Sequence, residues 1–147
     1  ASEFYPKAKA EYVTLDELLR QSDIVSLHMP LRADTYHLLD RKRIQSMKHG
    51  AVVINTARGS LSDTQALTQA LEEGRLGGAA LDVIEGEEGI FYRDCTDKPI
   101  QSPYLLRLQA LPNVVISPHT AYYTEHALQD IVEGTIRNCL AFERGNR

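Results

Sequence analysis

Residues 50–63 read GAVVINTARGSLSD, and the order of residue types in this stretch decides the fold. A run of apolar, partly β-branched residues from Ala51 to Ile54 passes directly into a turn of small residues around one arginine, Arg58, and a helical pattern follows. The run is short, bounded by glycine and without alternation, the mark of a strand buried in a parallel sheet. Such a strand delivers its last side chains to the carboxyl edge of the sheet, where open α/β proteins bind ligands.

Three other stretches repeat the pattern: DIVSLHMP (23–30), GGAALDV (77–83) and PNVVISP (112–118). Helical periodicity lies between and around them. TLDELLRQS (14–22) sets Leu15, Leu18 and Leu19 on one face behind Thr14, with Glu17 three residues on as in a capping box. DRKRIQSMK (40–48) runs toward Gly50, and SDTQALTQALEEG (62–74) spaces Leu67, Ala70 and Leu71 helically before Gly74. The leucines of YLLRLQAL (104–111) read as core, and the segment 123–145 is the longest helix candidate, with a wide apolar stripe from Leu128 to Phe142. Short buried strands alternating with amphipathic helices imply a doubly wound parallel sheet.

The chain has 147 residues, enough for one domain with a core, and a formal charge of −4. With no lysine- or arginine-rich run, nucleic acid and anionic membranes are not expected as partners. No stretch has the length of a spanning helix and the first residues lack a signal-peptide core, so a cytoplasmic protein is expected. Cys95 and Cys139 lie far apart without metal-type spacing and read as two reduced thiols; no metal site is expected.

The strand ends select His28, Arg58, Asp82, Glu85, Glu87 and His119. Arg58, Glu87 and His119 follow three different strands, and a parallel sheet can gather them. An arginine fork binds a carboxylate through two parallel hydrogen bonds. A histidine beside a carboxylate favours its protonated form and donates a proton well near neutral pH. Together they suit a 2-oxo or 2-hydroxy acid, with a hydride carrier as the missing reactant. Ordinary alternatives exist for each: a surface salt bridge for Arg58, a hydrogen-bonded loop histidine for His119, a solvated acidic loop for Glu87 and Glu88, and a helix N-cap for Asp82. His37, His49 and His126 read as plain helix or connection histidines.

LLRQSDIVSLHMPLRADTYHLLD, MKHGAVVINTARGSLSD and GGAALDVIEGEEG followed by ISPHTAYYT resemble, in order and spacing, the successive signatures of the D-specific 2-hydroxyacid dehydrogenases. The long connection 85–113 resembles the D-lactate dehydrogenase branch, including the 2-keto acid reductases of vancomycin-resistance clusters. The resemblance implies the C-terminal part of a Rossmann-like NAD-binding domain over 1–147, with 123–147 a long C-terminal helix returning toward a substrate domain that precedes residue 1. It implies that Arg58 binds the substrate carboxylate, that His119 is the general acid/base and that Glu87 orients it. Asp82, His28, Pro30, Thr56 and Ala57 would line the NAD site, and Tyr122 and Tyr123 would shape the substrate side-chain pocket. Ser62 departs from the family's aliphatic residue, with a small packing consequence expected.

No glycine-rich GxGxxG turn occurs in the chain. The expectation is therefore a portion of a longer oxidoreductase that reduces a pyruvate-like 2-keto acid with NADH, inactive alone. The alternative is a non-catalytic dinucleotide-fold module or assembly partner. Exposed apolar sheet and helix surfaces are expected to favour self-association or a homodimer.

Overall fold

A computed structural model describes residues 11–97 and 99–145; the expectation about where residue 1 falls in a cofactor domain lies outside them. Its sheet has four parallel strands in chain order: β1 (Ile24–Leu27), β2 (Val52–Asn55), β3 (Gly78–Leu81) and β4 (Val114–Ile116). All four fall inside the runs read from the sequence. Register is continuous across them: Leu27, Asn55, Leu81 and Ile116 form one row at the carboxyl edge.

The helices begin where side chains can satisfy free backbone amides. In α1 (Leu15–Gln21) the Thr14 hydroxyl accepts from the Glu17 amide while the Glu17 carboxylate reaches back to Thr14, a complete capping box. Asp40 caps α2 (Arg41–Ser46), Asp63 caps α3 (Thr64–Glu72), and Ser102 caps α4 (Pro103–Gln109), whose first residue is a proline with no amide to leave unpaired. Thr124 caps α5 (Glu125–Glu143).

Helices α1 to α4 pack as one layer on one face of the sheet. That face carries Val25 and Leu27, Val53 and Asn55, and Ala79 and Leu81, all buried, with Val114 and Ile116 packed against the core. Leu19, Ile44, Leu67, Leu71, Leu105 and Leu108 close over them, each fully buried leucine-sized side chain contributing roughly 1.5–3 kcal/mol by removal from water. The stripe of α3 and the leucines of α4 therefore serve the core, as their spacing implied.

The opposite face is largely uncovered by the described residues. Ile24 is 61% exposed, and in the row Ser26, Ile54, Ala80 and Val115 the two outer residues are exposed, Val115 at 69%, and the inner two half-buried. Helix α5 has no buried residue: Ile131, Val132, Ile136, Leu140 and Phe142 all face solvent. Cys95 and Cys139 are both unpaired.

Candidate active site

Turns follow the row of residues that ends the strands, and those after β2 and β4 are held by buried polar groups at or beside a strand end. Asn55, the last residue of β2 and only 1% exposed, accepts from the Ala57 amide through Oδ1 at 3.1 Å and donates through Nδ2 to the Arg58 carbonyl at 2.9 Å. A buried amide that satisfies both turn groups fixes the backbone from Thr56 to Arg58. Arg58 then extends with φ −148° into a single 3-10 turn, Gly59–Leu61.

The Arg58 side chain is exposed and donates from Nη1 to the carbonyl of Ala57 at 2.6 Å. No carboxylate pairs with it among the described residues, so the surface salt bridge weighed as its ordinary role does not form. A guanidinium held by its own backbone, with its other N–H groups unspent among the described residues, has the donor geometry that can receive a planar anion.

Asp82 follows β3 and is 5% exposed. Its Oδ1 accepts from the Ser117 hydroxyl at 2.6 Å and from the amides of Thr120 and Ala121 at 2.8 and 2.9 Å. Its carbonyl accepts from the His119 amide at 2.8 Å. No helix follows Asp82, so it is not an N-cap; it orders the loop that carries His119. Oδ2 has no hydrogen-bond partner among the described residues.

His119 adopts φ 56°, a left-handed conformation uncommon for a residue with a side chain. Its Nδ1 lies 2.8 Å from Oε1 of Glu87, whose other oxygen accepts from the Ile84 amide at 2.7 Å. Nε2 has no partner among the described residues. The structure thus brings His119 and Glu87 together, across 32 positions of sequence. Arg58 is tied to them through Gly59: a Cβ on that glycine would lie 2.1 Å from the carbonyl carbon of Ile84, so the arginine turn rests directly on the loop that carries Glu87.

The remaining candidates follow the strand ends or His119 in sequence. His28 and Thr56 are exposed at the ends of β1 and β2, with Ala57 half-buried beside Thr56. His28 Nε2 is 2.8 Å from the Ser26 hydroxyl, and the Pro30 carbonyl accepts from Thr35 Oγ1 at 2.9 Å. Tyr122 and Tyr123, 46% and 66% exposed, pack edge to face with centroids 6.1 Å apart. Ser62 lies beside the turn, buried, with a hydroxyl that has no partner among the described residues.

Three participants escaped sequence reasoning. Asn55 had a legible signal, a polar residue ending an apolar strand. Tyr92, from the long connection, donates its hydroxyl to the His119 carbonyl and packs its ring 5.9 Å from the imidazole. Burial and the neighbouring Tyr122 push its phenol pKa up, with the Asp82 and Glu87 carboxylates adding to the rise. His37, read as a plain histidine, holds Glu85 at 2.9 Å. By contrast His126 meets only Asp130 on its own exposed helix, and Glu88 is exposed.

A family model described as D-isomer specific 2-hydroxyacid dehydrogenase, NAD binding domain, matches residues 2–121. The chain is 62% identical over 136 residues to a D-specific alpha-keto acid dehydrogenase of Enterococcus faecium, a match that covers 92% of this chain and 42% of that protein. Among solved structures, a D-lactate dehydrogenase from Sporolactobacillus is 42% identical with a TM-score of 0.86, covering 93% of this chain and 41% of that one. A D-lactate dehydrogenase with NAD+ from Lactobacillus jensenii is 37% identical with a TM-score of 0.86, covering 92% and 41%. The chain spans less than half the length of these relatives.

Proposed function

This chain belongs to the D-isomer specific 2-hydroxyacid dehydrogenases through their NAD-binding domain, and on that premise we propose that the protein built on it reduces a pyruvate-like 2-oxo acid to the D-2-hydroxy acid. The observation that carries the reading is the His119–Glu87 pair, with Nδ1 engaged at 2.8 Å and Nε2 left over for a substrate oxygen. Arg58 receives the substrate carboxylate in two parallel hydrogen bonds and so fixes the acid in the plane of its guanidinium. Glu87 holds the imidazole orientation through Nδ1, so that the Nε2 proton passes to the carbonyl oxygen as C2 is reduced. His119 is reprotonated from solvent for the next turnover, while Nδ1–H stays with Glu87. Tyr122 and Tyr123 flank the space where a substrate side chain lies.

The strand ends fit a nicotinamide dinucleotide. Asp82 is a buried carboxylate with Oδ2 unpartnered among the described residues, suited to an amide donor such as a carboxamide, and His28, Pro30, Thr56 and Ala57 follow the carboxyl ends of β1 and β2 in the same sheet. NADH, when bound, supplies the hydride to C2.

We read residues 1–147 as one portion of the NAD-binding domain, with the segment from 123 on, which carries α5, leaving it. The uncovered stripe of α5 and the largely uncovered sheet face favour self-association as a homodimer, read by mass in solution, and also support the second reading, a module that assembles without turnover. No helix among the described residues is long and apolar enough to cross a membrane.

The test is NADH oxidation with pyruvate and with a branched 2-oxo acid, in the protein as it is produced and in its Arg58→Ala variant. Turnover that needs a 2-oxo acid, with the variant's KM raised about tenfold or more, supports the reading. A folded protein that neither oxidises nor binds NADH, or a variant with unchanged KM, overturns it.

A further inference from the structure

Three residues other than glycine have positive φ among those described: His37 at 48°, Tyr92 at 59° and His119 at 56°. Residues with a side chain keep such backbone only where their surroundings over-determine it. All three gather around one loop, Ile84 to Glu87, which itself turns through Gly86 at φ 78°. His119 meets Glu87, Tyr92 meets His119, and His37 meets Glu85 on the other side of Gly86.

The functional reading uses Glu87 and His119 and leaves His37 and Glu85 without a task. Yet they form a built cluster. His37 Nε2 is 2.9 Å from Glu85 Oε1, and the Tyr36 hydroxyl donates to the same oxygen at 3.1 Å. The rings of Tyr36 and His37 stack with centroids 4.0 Å apart. Side-chain exposures of 28% and 31% leave the pair half-buried.

The cluster also ties together the segments that carry the site. The His37 amide donates to the Ser60 carbonyl at 2.8 Å, and Leu39 continues the contact as a bridge to Ser62, on the far side of the Arg58 turn. Gly59 brings that turn against the backbone of Ile84 and Glu85. Segment 36–39, the turn 58–62 and the loop 84–87 thus meet at His37 and Glu85. Glu87 stands in no helix or strand; its carboxylate is held by the Ile84 amide within the same loop and by His119. A loop so placed needs an external anchor, and Glu85 is the side chain that supplies one.

We infer that His37 and Glu85, steadied by Tyr36, form a clasp that positions Glu87 against His119 and keeps the Arg58 turn in register with both. They are positioning residues: neither touches the reacting atoms. Only the kinetic consequence rests on the dehydrogenase reading; the geometric consequence does not.

The experiment compares Glu85→Ala, His37→Ala, their double variant and Glu85→Gln. Glutamine keeps an acceptor for both the imidazole and the phenol, so it preserves the clasp without its charge. In the active protein, each alanine variant should lower kcat by about tenfold or more with KM for NADH unchanged, since displacement of a reacting group costs turnover. The double variant should be no worse than either single one, because the two residues act only through each other. Glu85→Gln should stay within about threefold of the parent. Independently, the Nδ1 proton of His119, held by Glu87, should give a resolved nitrogen-bound proton signal by NMR that is lost in both alanine variants and kept in Glu85→Gln.

Additive losses, a glutamine variant as impaired as alanine, or a His119 proton signal unaffected by Glu85→Ala would each overturn the clasp. Should Glu85→Ala not fold, His37→Ala carries the same comparison. If no 2-oxo acid is reduced at all, the functional reading fails and the His119 signal alone decides the clasp.

Discussion

Two imidazole–carboxylate pairs share one loop. His119 pairs with Glu87 at 2.8 Å and His37 with Glu85 at 2.9 Å, and the two carboxylates stand on either side of Gly86. By distance they are equivalent; by the atom used they are not. His119 spends Nδ1 and keeps Nε2, whereas His37 spends Nε2, the nitrogen farther from the backbone, and is additionally covered by the ring of Tyr36. Glu87 accepts from a backbone amide of its own loop, whereas Glu85 accepts from a tyrosine of another segment. A histidine beside a carboxylate is therefore not in itself a site. In the proposed reaction, the nitrogen that remains, and what surrounds it, separates the histidine that would donate a proton from the one that would only fasten the loop.

The sharpest way to break this comparison is His119→Ala set against His37→Ala. Loss of the proton donor should lower kcat by about 10²- to 10⁴-fold, well beyond the loss expected at His37, and equal losses in steady-state kinetics would erase the distinction. Next in size is Gly59→Ala, which attacks the contact common to both pairs. Its Cβ would fall 2.1 Å from the Ile84 carbonyl carbon and 2.2 Å from the oxygen, so the two backbones must part. The expected result is destabilisation of about 1–3 kcal/mol by denaturant unfolding, with KM for the 2-oxo acid raised as Arg58 leaves its place. An alanine variant of parental stability and KM would show that the turn is not seated on the loop.

The smallest effect is expected at Ser62, under the His37 side. Its hydroxyl is buried and unpaired among the described residues, and removing an unpaired buried polar group relieves a cost of roughly 1 kcal/mol. Ser62→Ala should therefore raise the midpoint of unfolding slightly and leave turnover alone. A fall in stability would mean that the hydroxyl has a partner.

Much of this architecture was legible because local rules and the global fold agree. Thr14 and Glu17, three positions apart, announced the start of α1, and four glycine- or proline-bounded apolar runs became the four strands in the order written. Thiols far apart in sequence stayed apart, and the pairing of His119 with Glu87 followed from placing both at strand ends. What was not legible depends on partners that only tertiary structure introduces. His37 lies 48 residues from Glu85 and reaches it from a left-handed backbone that no periodicity announces. Asp82 invited a helix cap or a cofactor contact, but its ordering of the loop from Ser117 to Ala121 depends on β4 pairing beside β3. Ser62 stood out only as a departure from the family pattern; its buried hydroxyl is the physical content of that departure.

Helix α5 has a consequence of another kind. Its 19 residues span about 28 Å at the usual rise, yet none is buried, so its hydrogen bonds draw little support from the sheet. An isolated helix of this length is only marginally stable in water, even with a Thr124 cap. It should therefore open as a unit of its own, more readily than the core beneath α1 to α4. Its amide protons should trade with solvent orders of magnitude faster than those of β2, and any surface that comes to cover its stripe will announce itself first as a slowing of that trade.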